Sequence, residues 1–249
     1  MISFREVVFR YPGAASDTLQ IGSLGIQEGS SVAIMGANGS GKSTAALCMN
    51  GILMPTSGDV LVDEMNTKNR PTLHEIRRRV GLVFQDPNLQ FTSMTVEREL
   101  AFGLENIGVP RDEMRARVNR HLNLFHLDHL KGIVPSSLSG GEKQRLAIAA
   151  IMILEPRYLL LDEATSLLSP AARSGVLQLA REMRTRNGTT LVLITQFPGE
   201  ALLAERLLIL HEGSIVHDEE PASVFRHAQD LSSMGIQVPL KARLALRES

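Results

Sequence analysis

The stretch SVAIMGANGSGKSTAALCMN, Ser31 to Asn50, decides how the rest of the chain is read. Ser31–Met35 is a short apolar run that stops at Gly36, as a buried strand would. GANGSGKST, Gly36 to Thr44, fits the phosphate-loop pattern G-x-x-x-x-G-K-[ST], and Ser43–Asn50 continues as a helix. Strand, glycine loop and helix together open a βαβ unit. Gly36, Gly39 and Gly41, with Asn38 and Ser40 between them, let backbone N–H groups turn inward around phosphate oxygens. Lys42 supplies a point charge for terminal phosphates, the Ser43 hydroxyl is placed to ligate Mg²⁺, and Thr44 completes the motif. The helix turns its positive N-terminal end toward the same phosphates. A glycine turn that binds nothing is the competing reading. It is disfavoured because strand and helix flank the motif as the chemistry requires.

Working outward, the 249 residues suffice for one large α/β domain or two small ones. With 26 basic and 27 acidic residues there is no basic footprint for nucleic acid. The single cysteine, Cys48, cannot form an internal disulfide, which fits a reducing compartment, and reads as a small core residue. The beginning, MISFREVVF, carries charge within its apolar run and does not read as a secretory signal. No segment has the roughly 18 uncharged apolar residues of a membrane span, so a cytosolic chain is expected. Ile2–Arg10 alternates as a strand, and Val80–Phe84, Tyr158–Leu161, Leu191–Thr195 and Leu207–Leu210 are short buried-strand candidates. Arg111–His126 reads as a helix with Pro110 at its start and Asp112 and Glu113 in its first turn. Residues 88–134 are helical with no credible strand. A helical subdomain, roughly 88–150, is therefore expected as an insertion into a mostly parallel sheet core.

Two further motifs carry chemistry. YLLLDEA, Tyr158 to Ala164, ends an apolar run on two carboxylates. Asp162 can hold Mg²⁺ through water, and Glu163 can polarise an attacking water. LSGGEKQR, Leu138 to Arg145, places Ser139, Gly140 and Gly141 at a helix start, either as a cap or as a second anion-binding terminus.

With all three motifs in this order, residues 1 to 230 or so resemble the ATP-binding cassette (ABC) ATPases. The resemblance implies an α/β fold: a P-loop core with a mostly parallel sheet, an N-terminal antiparallel β-subdomain and an inserted helical subdomain bearing the signature. Residues 231–249 would be a C-terminal extension for dimerisation or docking. In that family two subunits pair head to tail around ATP and Mg²⁺, so Ser139, Gly140 and Gly141 would serve nucleotide bound mainly by the partner. Tyr11 matches the aromatic that stacks on adenine, and Gln85 the glutamine that contacts Mg²⁺ and the attacking water.

Two positions depart from the family pattern: Ser169 stands where an aspartate is usual, and Gln196 where a histidine is. Glutamine donates a hydrogen bond but carries neither proton nor charge, so a slow or degenerate site is expected. The run Gln85–Pro110, with Gln90 as a second glutamine, looks like the energy-coupling-factor branch, importers of vitamins and transition-metal ions. That implies a second ATPase subunit, often a different one, a transmembrane coupling subunit and a membrane substrate-binding subunit, with this chain peripheral on the cytoplasmic face. The competing functions are another class of ABC transporter, a soluble DNA-repair or translation-type ABC ATPase, and a regulatory nucleotide-binding module. No sustained heptads separate Lys42 from Leu138, and the chain has one cassette, which disfavours the soluble types. Three surface features are set aside. His121, His126 and His129 read as a solvated helix and its end, with His126 and His129 on one face. Arg77–Arg79 reads as a solvated helix end. VPLKARLAL, Val238 to Leu246, reads as an amphipathic helix or a frayed tail.

Overall fold

The structure, a computed structural model, describes residues 1–240. The chain forms two compact units, Met1–Val80 with the chain from Thr190 onward, and Gly81–Thr189 between them in sequence. The segment Val238–Leu246 lies mostly outside the described residues.

In the first unit an antiparallel sheet, order β2-β1-β4-β5, is built from β1 (Ile2–Phe9), β2 (Leu19–Ile26), β4 (Ser57–Val62) and β5 (Met65–Asn66). β1 alternates as the sequence suggests, burying Ile2, Phe4, Val7 and Phe9. Its register against β4 slips between Arg5 and Val8. There Glu6 adopts φ 49° and Gly58 adopts φ 69°. A Cβ on Gly58 would collide with the Glu6 carbonyl, so the bulge needs glycine opposite it. The second layer is β3 (Ser31–Met35) held in parallel between β8 (Thr190–Ile194) and β9 (Arg206–His211), with β10 (Ser214–Glu219) antiparallel on β9. Every residue of β3 and β8 is buried, the continuous apolar run of a parallel strand covered on both faces. One core cluster joins Met35, Leu207 and Ile209 to Val224, Phe225, Leu231, Ile236 and Val238. The start of the C-terminal segment therefore belongs to this core.

The second unit contains strands β6 (Val80–Val83) and β7 (Tyr158–Asp162) and is otherwise helical. Its helices are Val96–Asn106, Arg111–Leu124, Gly140–Met152 and Pro170–Asn187. Residues 88–134 hold no strand, as their pattern implies. Thr95, Ser139 and Ser169 cap three of these helices through side-chain oxygens, and Gly188 at φ 70° closes the last. Val96, Leu100 and Leu104 bury one stripe of their helix; Leu122, Phe125, Leu146 and Tyr158 are buried in the same unit.

The histidine-rich stretch corrects its sequence reading. Its helix ends at Leu124, His126 takes φ 53°, and His129 lies in a separate short 3-10 turn, so the last two share no helix face. His121 is buried and stacks on Phe125 at 6.3 Å, and burial pushes its pKa down. Arg77–Arg79 does end a helix, Leu73–Arg79, but is not simply solvated. Arg79 pairs with Glu75 and Asp63 at 2.8 and 2.9 Å, and Arg77 donates to the Gly51 carbonyl.

Candidate functional site

The loop between β3 and the helix Lys42–Met49 is a donor-rich cradle. A Cβ on Gly36 would run into the Leu210 carbonyl and the Ser40 hydroxyl, so the chain passes there only without a side chain. Gly41 sits at φ 102°, and a Cβ on it would meet the Thr18 carbonyl at 2.7 Å. Lys42 is 5% exposed and folds back over the loop, donating from Nζ to the carbonyls of Gly36 and Ala37 at 2.9 Å each. Asn38, Gly39 and Ser43 face outward, while Ser40 Oγ is buried and finds no hydrogen-bond partner among the described residues. Exposed backbone, a buried hydroxyl short of a partner and one ammonium suit a polyphosphate, a ligand made of acceptors.

Tyr11 and Gln196 border this cradle in the same unit. The Tyr11 hydroxyl hydrogen-bonds that of Thr44 at 3.2 Å, and its half-exposed ring meets Phe9 edge to face at 4.8 Å. Gln196 follows β8, and its Nε2 donates to Asn38 Oδ1 at 3.2 Å. The turn carrying it is braced by Thr195, whose hydroxyl donates to buried Glu200 at 2.5 Å and accepts from the Phe197 N–H at 3.0 Å. A small cavity of about 130 Å³ lies against the loop, walled by Asn38, Gln196 and Gly235–Gln237. The sequence gives no sign of that last contribution, because the wall comes from a segment some two hundred residues away.

The second unit brings the other predicted groups together. Asp162 is buried at the end of β7, and Glu163 follows at φ 48°, a left-handed position costing on the order of 1 kcal/mol or more for a side chain of this type. Gln85 Nε2 donates to Glu163 Oε2 at 3.3 Å, so the two residues meet across 78 positions of sequence. The backbone just before Gln85 is held by two further glutamines. Gln90 Oε1 accepts the Phe84 N–H at 2.9 Å, and buried Gln144 donates to the Phe84 carbonyl at 3.4 Å. Glu99, also buried, accepts the N–H groups of Thr92 and Ser93 at 3.0 and 2.7 Å and fixes the following loop. Neither Gln144 nor Glu99 was legible as a brace, since their partners are backbone groups.

Ser139 opens the helix Gly140–Met152 with a full capping box. The Glu142 N–H donates to its Oγ at 3.4 Å, and its own N–H and hydroxyl donate to Glu142 at 2.8 and 2.7 Å. The Ser139 hydroxyl and N–H hold the Glu142 carboxyl below its usual range. No atom lies within 4 Å of where a Gly140 Cβ would stand, so this helix terminus is open as well as capped. Ser169 caps Pro170–Asn187 by accepting the Ala172 N–H at 3.4 Å.

The phosphate-type loop of the first unit and the acid–glutamine pair of the second are each the kind of group a nucleotide-binding cassette carries, and comparison with known proteins identifies that class. The family described as ABC transporter matches residues 19–166. The energy-coupling factor transporter ATP-binding protein EcfA1 of Lactiplantibacillus plantarum is 40% identical over 246 residues, covering 98% of this chain and 87% of the relative. Its namesake in Halalkalibacterium halodurans is 42% identical over 241 residues, covering 97% and 86%. Among solved structures, cbiO1 of Clostridium perfringens, described as part of the ABC transporter complex cbiONQ, is 32% identical with a TM-score of 0.79 and covers 98% of both chains. The cassette MJ0796, solved as a dimer with ADP and Pi, is 29% identical with a TM-score of 0.83, covering 89% of this chain and 99% of its own. The chain belongs to the ABC transporter family.

Proposed function

We propose that this chain is the ATP-binding and hydrolysing subunit that energises a membrane importer of the energy-coupling-factor type, taking up a vitamin or a transition-metal ion. The observation that supports the hydrolytic reading is the Gln85–Glu163 contact, which joins the carboxylate directly after Asp162 to the predicted glutamine. Lys42, with the backbone of Gly36–Thr44, neutralises and positions the terminal phosphates, and Tyr11 offers its ring to the adenine. Ser43, Gln85 and Asp162 would hold Mg²⁺, which when bound neutralises charge on the β- and γ-phosphate oxygens. Glu163 orients and deprotonates the attacking water. Gln196 donates an amide N–H toward the γ-phosphate but cannot exchange a proton.

Ser139, Gly140 and Gly141 serve the nucleotide of a second ATPase subunit, joined head to tail. That partner is a second copy or, more in keeping with Gln196 and Ser169, a different chain whose own residues complete one full-strength site. Residues 1–230 form the cassette, with the helical part near 88–150, and residues 231–249 extend it toward dimerisation or docking. No helix among the described residues is long and apolar enough to cross a membrane. On this reading the subunit works as a peripheral protein on the cytoplasmic face, bound to a transmembrane coupling subunit that serves a membrane substrate-binding subunit, and takes no nucleic acid.

Calorimetry with Mg²⁺ and ATP, paired with steady-state phosphate release, tests this reading. Lys42→Ala is expected to abolish tight ATP binding, whereas Glu163→Gln retains binding and loses turnover. Wild-type ATP affinity in the first variant, or wild-type turnover in the second, overturns the assignment.

A further inference from the structure

Outside the nucleotide site, three potential ligands converge on one edge of the first unit. His217 and Glu219 lie two apart on β10, so they share a face of the strand with Cα atoms about 7 Å apart. The chain then turns through Pro221–Val224 and a 3-10 turn, Phe225–His227, which returns His227 over that face. The rings of His217 and His227 stack at 5.0 Å, and one donor atom from each of His217, Glu219 and His227 lies within 4.8 Å of the others.

We propose that His217, Glu219 and His227 form a binding site for a divalent transition-metal ion of the Zn²⁺ or Ni²⁺ type, separate from the Mg²⁺ of the nucleotide site. The two imidazoles are borderline ligands that select such ions over Mg²⁺ and Ca²⁺, and the harder carboxylate adds a charge. Ligand atoms at about 2.0–2.1 Å around a tetrahedral ion stand roughly 3.3 Å apart, so the three must draw in by about 1.5 Å or less. Their exposure leaves the side-chain torsions free for this: His217 is half-buried, and Glu219 and His227 are exposed. The backbone is fixed from both sides. Past a bulge at Val216, His217 and Glu219 pair with Ile209 and Leu207 of β9, and His227 sits between buried Phe225 and Ala228, both members of the core cluster. Asp218, on the opposite face, does not compete, because both its oxygens are held by Arg206. The fourth position opens to solvent and takes a water. The ion would tie an edge strand to the turn that leads into Leu231–Val238, so it acts as a clamp and stabilises the folded chain by binding it preferentially.

The test uses the full chain without a histidine tag, with millimolar Mg²⁺ present, titrated with Zn²⁺ and separately with Ni²⁺ by calorimetry. A metal-dependent rise in melting temperature is read in parallel. Binding of one ion per chain with Kd below about 50 μM is expected. His217→Gln and His227→Gln should each weaken it at least tenfold, and the double variant should lose both binding and the thermal shift. Glu219→Gln should weaken it less, and His74→Gln not at all. The glutamine variants keep side-chain bulk, and their melting temperatures without metal report whether they fold. Absence of saturable binding below that concentration, or binding that survives in a folded double variant, overturns the proposal.

Discussion

Replacing Gln196 by histidine should accelerate ATP hydrolysis by a homodimer of this chain. One well-placed donor at a transition state is worth on the order of 10²–10³ in rate, about 2.7–4 kcal/mol. A neutral amide donor provides roughly half the strength of a charge-assisted one, so Gln196 forgoes about 1.4–2 kcal/mol, or ten- to thirtyfold. The structure adds a second cost. Gln196 Nε2 is engaged with Asn38 Oδ1 at 3.2 Å, and leaving a neutral hydrogen bond of this kind costs about 1 kcal/mol, a further fivefold. Gln196→His is therefore expected to raise kcat by about 50- to 150-fold, measured as steady-state phosphate release at saturating ATP and Mg²⁺. Ser169→Asp tests the other departure. Aspartate caps a helix as well as serine, so melting should move by less than about 0.5 kcal/mol while turnover rises further. The two changes act around shared nucleotide and need not add. A wild-type homodimer already turning over near an ordinary ~10 s⁻¹, and unchanged within twofold in all three variants, would refute the reasoning and show that glutamine and serine suffice.

Two other perturbations follow from buried groups. Glu99→Ala strips the acceptor from two backbone N–H groups in a site 6% exposed. At about 1.5–3 kcal/mol per bond to a charged group, a loss of roughly 3 kcal/mol or more is expected. That is about 6 °C or more in melting temperature by calorimetry, against little change for the exposed Glu97→Ala; equal melting of the two would discount the brace. Cys48 is fully buried, and burial pushes its thiol up to about 12. The folded state thus favours the protonated form, a stabilisation complete below the ordinary value near 9 and lost as pH rises toward 12. Iodoacetamide at pH 8 should modify Cys48 only after denaturation, as mass spectrometry would show; prompt labelling of native protein would contradict its burial.

Much of this fold was legible because its decisive elements are local. Ser31–Asn50 announces strand, loop and helix in contiguous residues, and the apolar runs of β3, β7, β8 and β9 end within one residue or two of where their patterns stop. What escaped is held together at long range or by backbone. β2, LQIGSLGI, and β4, SGDVLV, carry glycines that weaken the strand signal, yet each gains its partner in β1. The helix Pro170–Asn187 carries four arginines, which dilutes its periodicity. In the site, chemistry-bearing residue types were readable from motifs, whereas the braces Gln144, Glu99 and Glu200 were not. Gln144 reaches a carbonyl far off in sequence, and Glu99 and Glu200 bond loop groups at spacings that no motif marks.

The two departures from the family pattern take on a definite meaning in this setting. Ser169 closes its helix as an aspartate would, and Gln196 hydrogen-bonds Asn38 in a turn that Thr195 and Glu200 hold without its help. The cap at Ser169 does not depend on serine for the local fold, because it accepts several oxygen-bearing side chains. Under the proposed reading, the cost of serine and glutamine is one to the chemistry at the nucleotide. A deficit confined to chemistry can be supplied from outside, by a subunit whose own residues face the shared nucleotide. On the proposed heterodimer, pairing with a different chain remedies it without altering an element of this one. A substitution at 169 therefore reads turnover with the cap intact, whereas one at 196 also alters the Asn38 hydrogen bond, so melting temperature is read beside turnover.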